Sequence, residues 1–248
     1  MRKFGLLLML LAAIAAAVLA PLAEVNEPRR LQGINRLLFF PSKYPEGDWS
    51  PGGLAYEDVF FTAEDNTKLY GWICTAPNPV ATILFAHGNA GHVAARATFL
   101  RHLQSQSKAT VFIFDYRGYG KSSGIPTVEG VLLDARAARA KLRQLEEIDD
   151  SEIILMGESI GGAVAVQLAS ESATRALILQ STFSSLRDVA HVHYPKQSSI
   201  VPSSSLDSVT RISRFRGALY QSHGEKDSII PCTMGENYFE LLMNRSSL

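Results

Sequence analysis

Glu152-Ile153-Ile154-Leu155-Met156-Gly157-Glu158-Ser159-Ile160-Gly161-Gly162-Ala163-Val164-Ala165-Val166-Gln167-Leu168-Ala169 is the stretch that decides the fold of this chain. It reads as strand, turn, serine, helix. The apolar run from Ile153 to Met156 is short and lies between polar Glu152 and Gly157, which suits a strand buried on both faces of a parallel sheet. After Ser159 the apolar period becomes helical. Gly157 and Gly161 bracket the serine as G-x-S-x-G, a spacing in which missing Cβ atoms let strand and helix pack around a strained turn that lifts the hydroxyl clear. The pattern alone arises by chance in roughly one chain in ten of this length. The strand before it and the small-residue helix after it give it meaning.

Outward from that elbow, alternating segments 56–63 and 68–75 predict an antiparallel hairpin across Glu64-Asp65-Asn66. Residues 81–86 are a continuous apolar strand ending in His87-Gly88-Asn89-Ala90-Gly91, and 109–114 form its partner. That second strand stops at Asp115-Tyr116-Arg117-Gly118-Tyr119-Gly120, too rich in glycine and polar groups to continue. Over 128–145 apolar residues recur at helical spacing, with Asp134, Arg136, Lys141 and Arg143 on the other sides. A buried strand follows at 175–180, and 218–222 is the last strand expected. Strands alternating with helices predict an α/β fold: a mainly parallel sheet with helices on both faces. Residues 182–216, rich in Ser and Pro with little periodicity, are expected as a small cap insertion that roofs the pocket.

At 248 residues, 46% hydrophobic and 19% charged, the chain has material for one substantial core. Lys plus Arg and Asp plus Glu are each 24, so a net charge of zero excludes electrostatic capture of nucleic acid. Cys74 and Cys232 are too few and too far apart for a zinc site or a disulfide framework, and are expected as free thiols. Residues 4–23 carry no charge and follow Arg2 and Lys3. They are expected as a single-pass membrane anchor with the domain outside the cytoplasm, or as a signal sequence cleaved on secretion. The expected organisation is therefore 1–23 anchor or signal, 24–53 membrane-proximal linker, and 54–248 the folded domain.

His87-Gly88-Asn89-Ala90-Gly91, Asp115-Tyr116-Arg117-Gly118-Tyr119-Gly120, Gly157-Glu158-Ser159-Ile160-Gly161-Gly162 and His223-Gly224-Glu225-Lys226-Asp227 stand in that order. With them the chain resembles the α/β-hydrolase superfamily, and within it the Bem46-like branch of membrane-associated hydrolases. A serine hydroxyl needs an adjacent base, and that base a carboxylate to orient it. The attacked carbonyl becomes an oxyanion that preorganised N–H groups must meet. The resemblance implies Ser159 as nucleophile, Asp227 as triad acid, and the backbone N–H groups of Asn89 and Ile160 as the oxyanion hole. It assigns His87 a structural role in holding its loop, and places Tyr116 and Arg117 as braces on the elbow side of the pocket. The implied substrate is a small-molecule or acyl ester or thioester cleaved through an acyl-enzyme. No cofactor or metal is implied.

One member of the constellation has no counterpart. The superfamily order is serine, acid, histidine, and the histidines here are 87, 92, 102, 191, 193 and 223, none of them after Asp227. The expectation is a sheet lacking its last strand and helix, with Ser159 deprived of its base. His191 or His193 in the cap are the substitutes the sequence offers. The alternative reading is a membrane-tethered, noncatalytic protein of the same fold.

Overall fold

The computed structural model describes residues 27–236. Helix α1 (Glu27–Leu38) leads into a short strand, β1 (Phe40–Pro41). Strands β2 (Glu57–Thr62) and β3 (Lys68–Cys74) form the antiparallel hairpin predicted across Glu64-Asp65-Asn66. Next come β4 (Ala81–Ala86), the two-residue β5 (Ala90–Gly91), α2 (Ala97–Ser107), β6 (Ala109–Asp115) and α3 (Val128–Glu146). Strand β7 (Ile153–Glu158) and α4 (Ile160–Glu171) flank Ser159, and β8 (Ala176–Gln180), α5 (Leu186–His193), α6 (Ser208–Ile212) and β9 (Ala218–Ser222) follow.

Seven of these strands make one sheet in the order β2-β3-β6-β4-β7-β8-β9. The last five run parallel. Both faces are covered, so the central strands are apolar throughout rather than alternating. In β4, Leu84 and Ala86 belong to the core beneath α3 and α4, while Ile83 and Phe85 point into a second core with Val93, Leu100 and Trp72. The register pairs Ala86 with both Phe114 and Gly157, and Glu158 with Gln180. It thereby brings the carboxyl ends of β4, β7, β8 and β9 side by side, the edge where α/β sheets place ligands.

Three expectations change. The segment 24–53 was expected as a linker, yet Ile34 and Phe39 within it are buried in the main core and β1 pairs in parallel with β5. The expected cap, 182–216, does more than roof a pocket. Parallel β8 and β9 require a crossover, and α6 supplies it by packing on α4, with Leu206, Ile212 and Phe215 buried. Asp134, expected on a solvated side of α3, is fully buried against Arg117. The sequence assigns nothing to 92–108, where α2 forms; only Ala97 and Leu100 of that helix are buried, which leaves its apolar stripe too thin to read. The expected anchor, 1–23, lies outside the described residues, and among these no helix is long and apolar enough to cross a membrane.

Candidate active site

Ser159 joins β7 to α4 with φ 55° and ψ −120°. A non-glycine residue at positive φ costs about 1–3 kcal/mol and persists only where its surroundings overdetermine it. Here they do. Its N–H donates to the Gln180 carbonyl, and its own carbonyl accepts from the Gly162 N–H and the Thr182 hydroxyl, all at 2.9 Å. A Cβ on Gly157 would strike the Gly161 backbone, one on Gly161 the Ala86 and His87 carbonyls, and one on Gly162 the Thr182 side chain. The three glycines are thus a steric condition of the turn. The Ser159 hydroxyl has no hydrogen-bond partner among the described residues, and Ile160 N–H heads α4, where no preceding turn can accept it.

The loop after β4 faces this turn. Asn89 is fixed from three sides: its carbonyl accepts from Phe40 N–H at 3.0 Å and from the Tyr119 hydroxyl at 2.7 Å, and its Nδ2 donates to the Leu38 carbonyl at 2.9 Å. The Asn89 N–H is left without an acceptor among the described residues. His87 is fully buried; its Nδ1 donates to the Gly88 carbonyl at 2.7 Å, and its Nε2 lies 3.7 Å from Asp115. Burial, with Arg96 nearby, lowers the His87 pKa to about 3, so the ring is neutral. Burial likewise raises Asp115 to about 7. This ring braces the loop, as expected, and has no path to serve as a base.

Asp227 follows β9 on a turn closed by its own N–H to the Gly224 carbonyl. Its Oδ1 accepts the N–H groups of Ile229 and Ile230, both at 2.9 Å, while Oδ2 stands 3.7 Å from His223 Nε2. The His223 imidazole is committed elsewhere, donating Nε2–H to the Ile230 carbonyl at 2.8 Å. In the cap, His191 meets Ser198, and His193 donates to the Ile229 carbonyl at 2.7 Å. No imidazole contacts Ser159 among the described residues.

Two features escaped the sequence. Arg96 clamps Glu158, the residue before the serine, with Nε at 2.8 Å and Nη2 at 3.2 Å, and reaches the Ala90 carbonyl at 3.5 Å. It therefore ties the elbow to the loop of Asn89 across 62 residues of chain, a spacing that carries no local signal. Thr182, at the start of the Ser-rich segment, proves to be a buried anchor of the serine carbonyl. Tyr116 and Arg117 need refinement. The Tyr116 hydroxyl braces His87 O at 3.0 Å, whereas Arg117 turns away from the elbow to hold Asp134 and Asp65. Among the described residues no cluster of His, Cys, Asp or Glu could hold a metal ion.

Residues 77–240 match the family described as serine aminopeptidase, S33, a hydrolase family. The chain belongs to this family. Bem46 of Schizosaccharomyces pombe is 32% identical over 213 residues, which span 79% of this chain and 71% of that protein. YfhR of Escherichia coli K12, uncharacterized, is 34% identical over 207 residues, 80% of this chain and 72% of its own length. These relatives put the hydrolase in the Bem46-like branch of the α/β-hydrolases. Among solved structures an esterase of Pyrococcus furiosus superposes with a TM-score of 0.69 at 21% identity, covering 84% of this chain and 85% of that one. At that identity the likeness speaks for the fold, and it agrees with the mainly parallel sheet described above.

Proposed function

We propose that this hydrolase cleaves carboxylic esters or thioesters through an acyl-enzyme on Ser159. Asp227 is the acid, and the N–H groups of Asn89 and Ile160 are the oxyanion donors. The observation that carries the reading is a serine held at positive φ whose hydroxyl, like the two nearby backbone N–H groups, has no partner among the described residues. The Ser159 oxygen attacks the carbonyl carbon and its proton passes to water or to added imidazole. The oxyanion rests on the two N–H groups, collapse expels the alcohol or thiol, and water frees the acid by the reverse sequence. Each donor is worth about 3 kcal/mol, roughly a hundredfold in rate.

The same geometry favours a second reading, a fold retained for binding, because none of the described imidazoles contacts Ser159. One experiment separates the two. The first reading predicts slow hydrolysis of p-nitrophenyl butyrate, roughly four to six orders of magnitude below a complete triad. Added imidazole should raise that rate with wild type but not with Ser159→Ala. Equal rates for both proteins at every imidazole concentration would leave the binding reading. Residues 1–23 carry the further proposal of a membrane anchor with the domain outside the cytoplasm, which protease accessibility in intact cells would test.

A further inference from the structure

Between α1 and the cap helix α5 lies a cavity of about 110 Å³ whose walls include Ile34, Leu37, Leu38, Val189, Ala190 and Val201. Its lining is almost entirely carbon, and among the described residues no Asp, Glu, Lys or Arg takes part. Three tethers fix it against the proposed site. The Leu38 carbonyl holds the Asn89 side chain at 2.9 Å. Leu186, another wall residue, begins the helix four residues after Thr182, whose hydroxyl holds the Ser159 carbonyl at 2.9 Å. His193, at the rim, donates to the Ile229 carbonyl at 2.7 Å, and Asp227, two residues earlier in the same turn, accepts the Ile229 N–H. Asn89 is thus one hydrogen bond from the wall residue Leu38, Ser159 one hydrogen bond and four residues from Leu186, and Asp227 one hydrogen bond and two residues from His193.

We infer that the cavity is an acyl subsite, with α1 as one wall and the cap as the other, shaped for a short linear aliphatic chain. The inference rests on the acyl-enzyme reading for the identity of the occupant. The chain assigned here is the acyl one because the proposed donors Asn89 and Ile160 set the place of the substrate carbonyl, and the Leu38 carbonyl accepts a hydrogen bond from the Asn89 side chain. An apolar cavity of about 150 Å³ holds benzene, six carbons; on that scale the volume here takes about four carbons beyond the carbonyl. The segment 27–38 therefore selects substrate, a role that its place ahead of the first sheet strand does not suggest.

The test uses equilibrium binding, which needs no turnover. Linear amides from acetamide to octanamide are titrated into the protein by NMR, beside N-alkyl acetamides that carry the same chains on the leaving-group side. Affinity should rise about fourfold per methylene up to about pentanamide and then level, while the N-alkyl series stays flat. Ala190→Phe should abolish the rise and leave acetamide binding unchanged; if that variant does not fold, Val201→Phe is read in its place. Ser159→Ala should keep the rise, so loss of esterase activity and loss of the subsite are separate results. An amide series with no chain-length dependence, an equal rise in the N-alkyl series, or a rise that survives both filled variants would overturn the assignment.

Discussion

Asp115→Asn tests the buried acid–imidazole pair beneath the oxyanion loop. Asp115 is fully buried, accepts the Val93 N–H at 2.8 Å, and faces His87 Nε2 at 3.7 Å; Lys121 lies in the loop that follows. Burial raises its pKa from 3.8 to about 7. The folded chain therefore keeps a proton that the unfolded chain releases near pH 4, and the stability this group contributes is full below that pH and lost as pH rises through about 7. His87 acts in the opposite sense. Its pKa falls from 6.5 to about 3, so its contribution is full above 6.5 and lost as pH drops toward 3. Between about pH 4 and 6.5 the two slopes cancel. Asparagine keeps a carbonyl for Val93 N–H but never ionises. At about 1.4 kcal/mol per pH unit, with the group half ionised at pH 7, the stability of Asp115→Asn relative to wild type should grow by about 2 kcal/mol from pH 5 to pH 7. It should change little from pH 7 to 8. Urea denaturation of both proteins at pH 5, 6, 7 and 8 measures this. A difference that stays flat, or shrinks as pH rises, would refute the buried-proton argument and mean that Asp115 ionises as an ordinary carboxyl.

Gly161→Ala sets a Cβ against the Ala86 and His87 carbonyls, which are backbone and cannot swing aside. A loss of about 1–3 kcal/mol in thermal or urea denaturation is expected, along with loss of Ser159 reactivity. Arg117→Met leaves Asp134, with a side chain 0% exposed, without its cation. The expected cost is about 3–5 kcal/mol, checked by urea denaturation, with hydrolysis per folded molecule little changed because Arg117 points away from the elbow. Arg96→Leu breaks a clamp whose side chains are 19% and 33% exposed, so stability should fall by less than about 1 kcal/mol. Phosphonylation of Ser159 should nevertheless slow by about ten- to a hundredfold through misplacement of the Asn89 loop, with partial recovery in Arg96→Lys.

The sheet was legible because its central strands are buried on both faces: the continuous run 81–86 appears in the structure with those same bounds, and the last strand, 218–222, also keeps its bounds although it is a partly exposed edge. The elbow was legible for a different reason. Backbone collisions at 157 and 161, and one with the Thr182 side chain at 162, demand glycine, and such demands leave a local mark in sequence. What stayed hidden depends on distance. Arg96 finds Glu158 across 62 residues, and Asn89 finds the Leu38 carbonyl across 51. Asp134 looked like a solvated face because a buried carboxylate is readable only once its partner, Arg117, is known to sit opposite. Segment 24–53 looked like a linker because prolines and glycines punctuate it, although Phe39 and Ile34 within it are buried in the main core.

Covalent labelling addresses the proposed chemistry most directly. The protein is treated with a fluorophosphonate, its intact mass measured, and the modified peptide sequenced. A single adduct on Ser159 in wild type, with none in Ser159→Ala, is the predicted result. An adduct of equal yield in Ser159→Ala, or no adduct on wild type with or without added imidazole, would contradict Ser159 as the nucleophile.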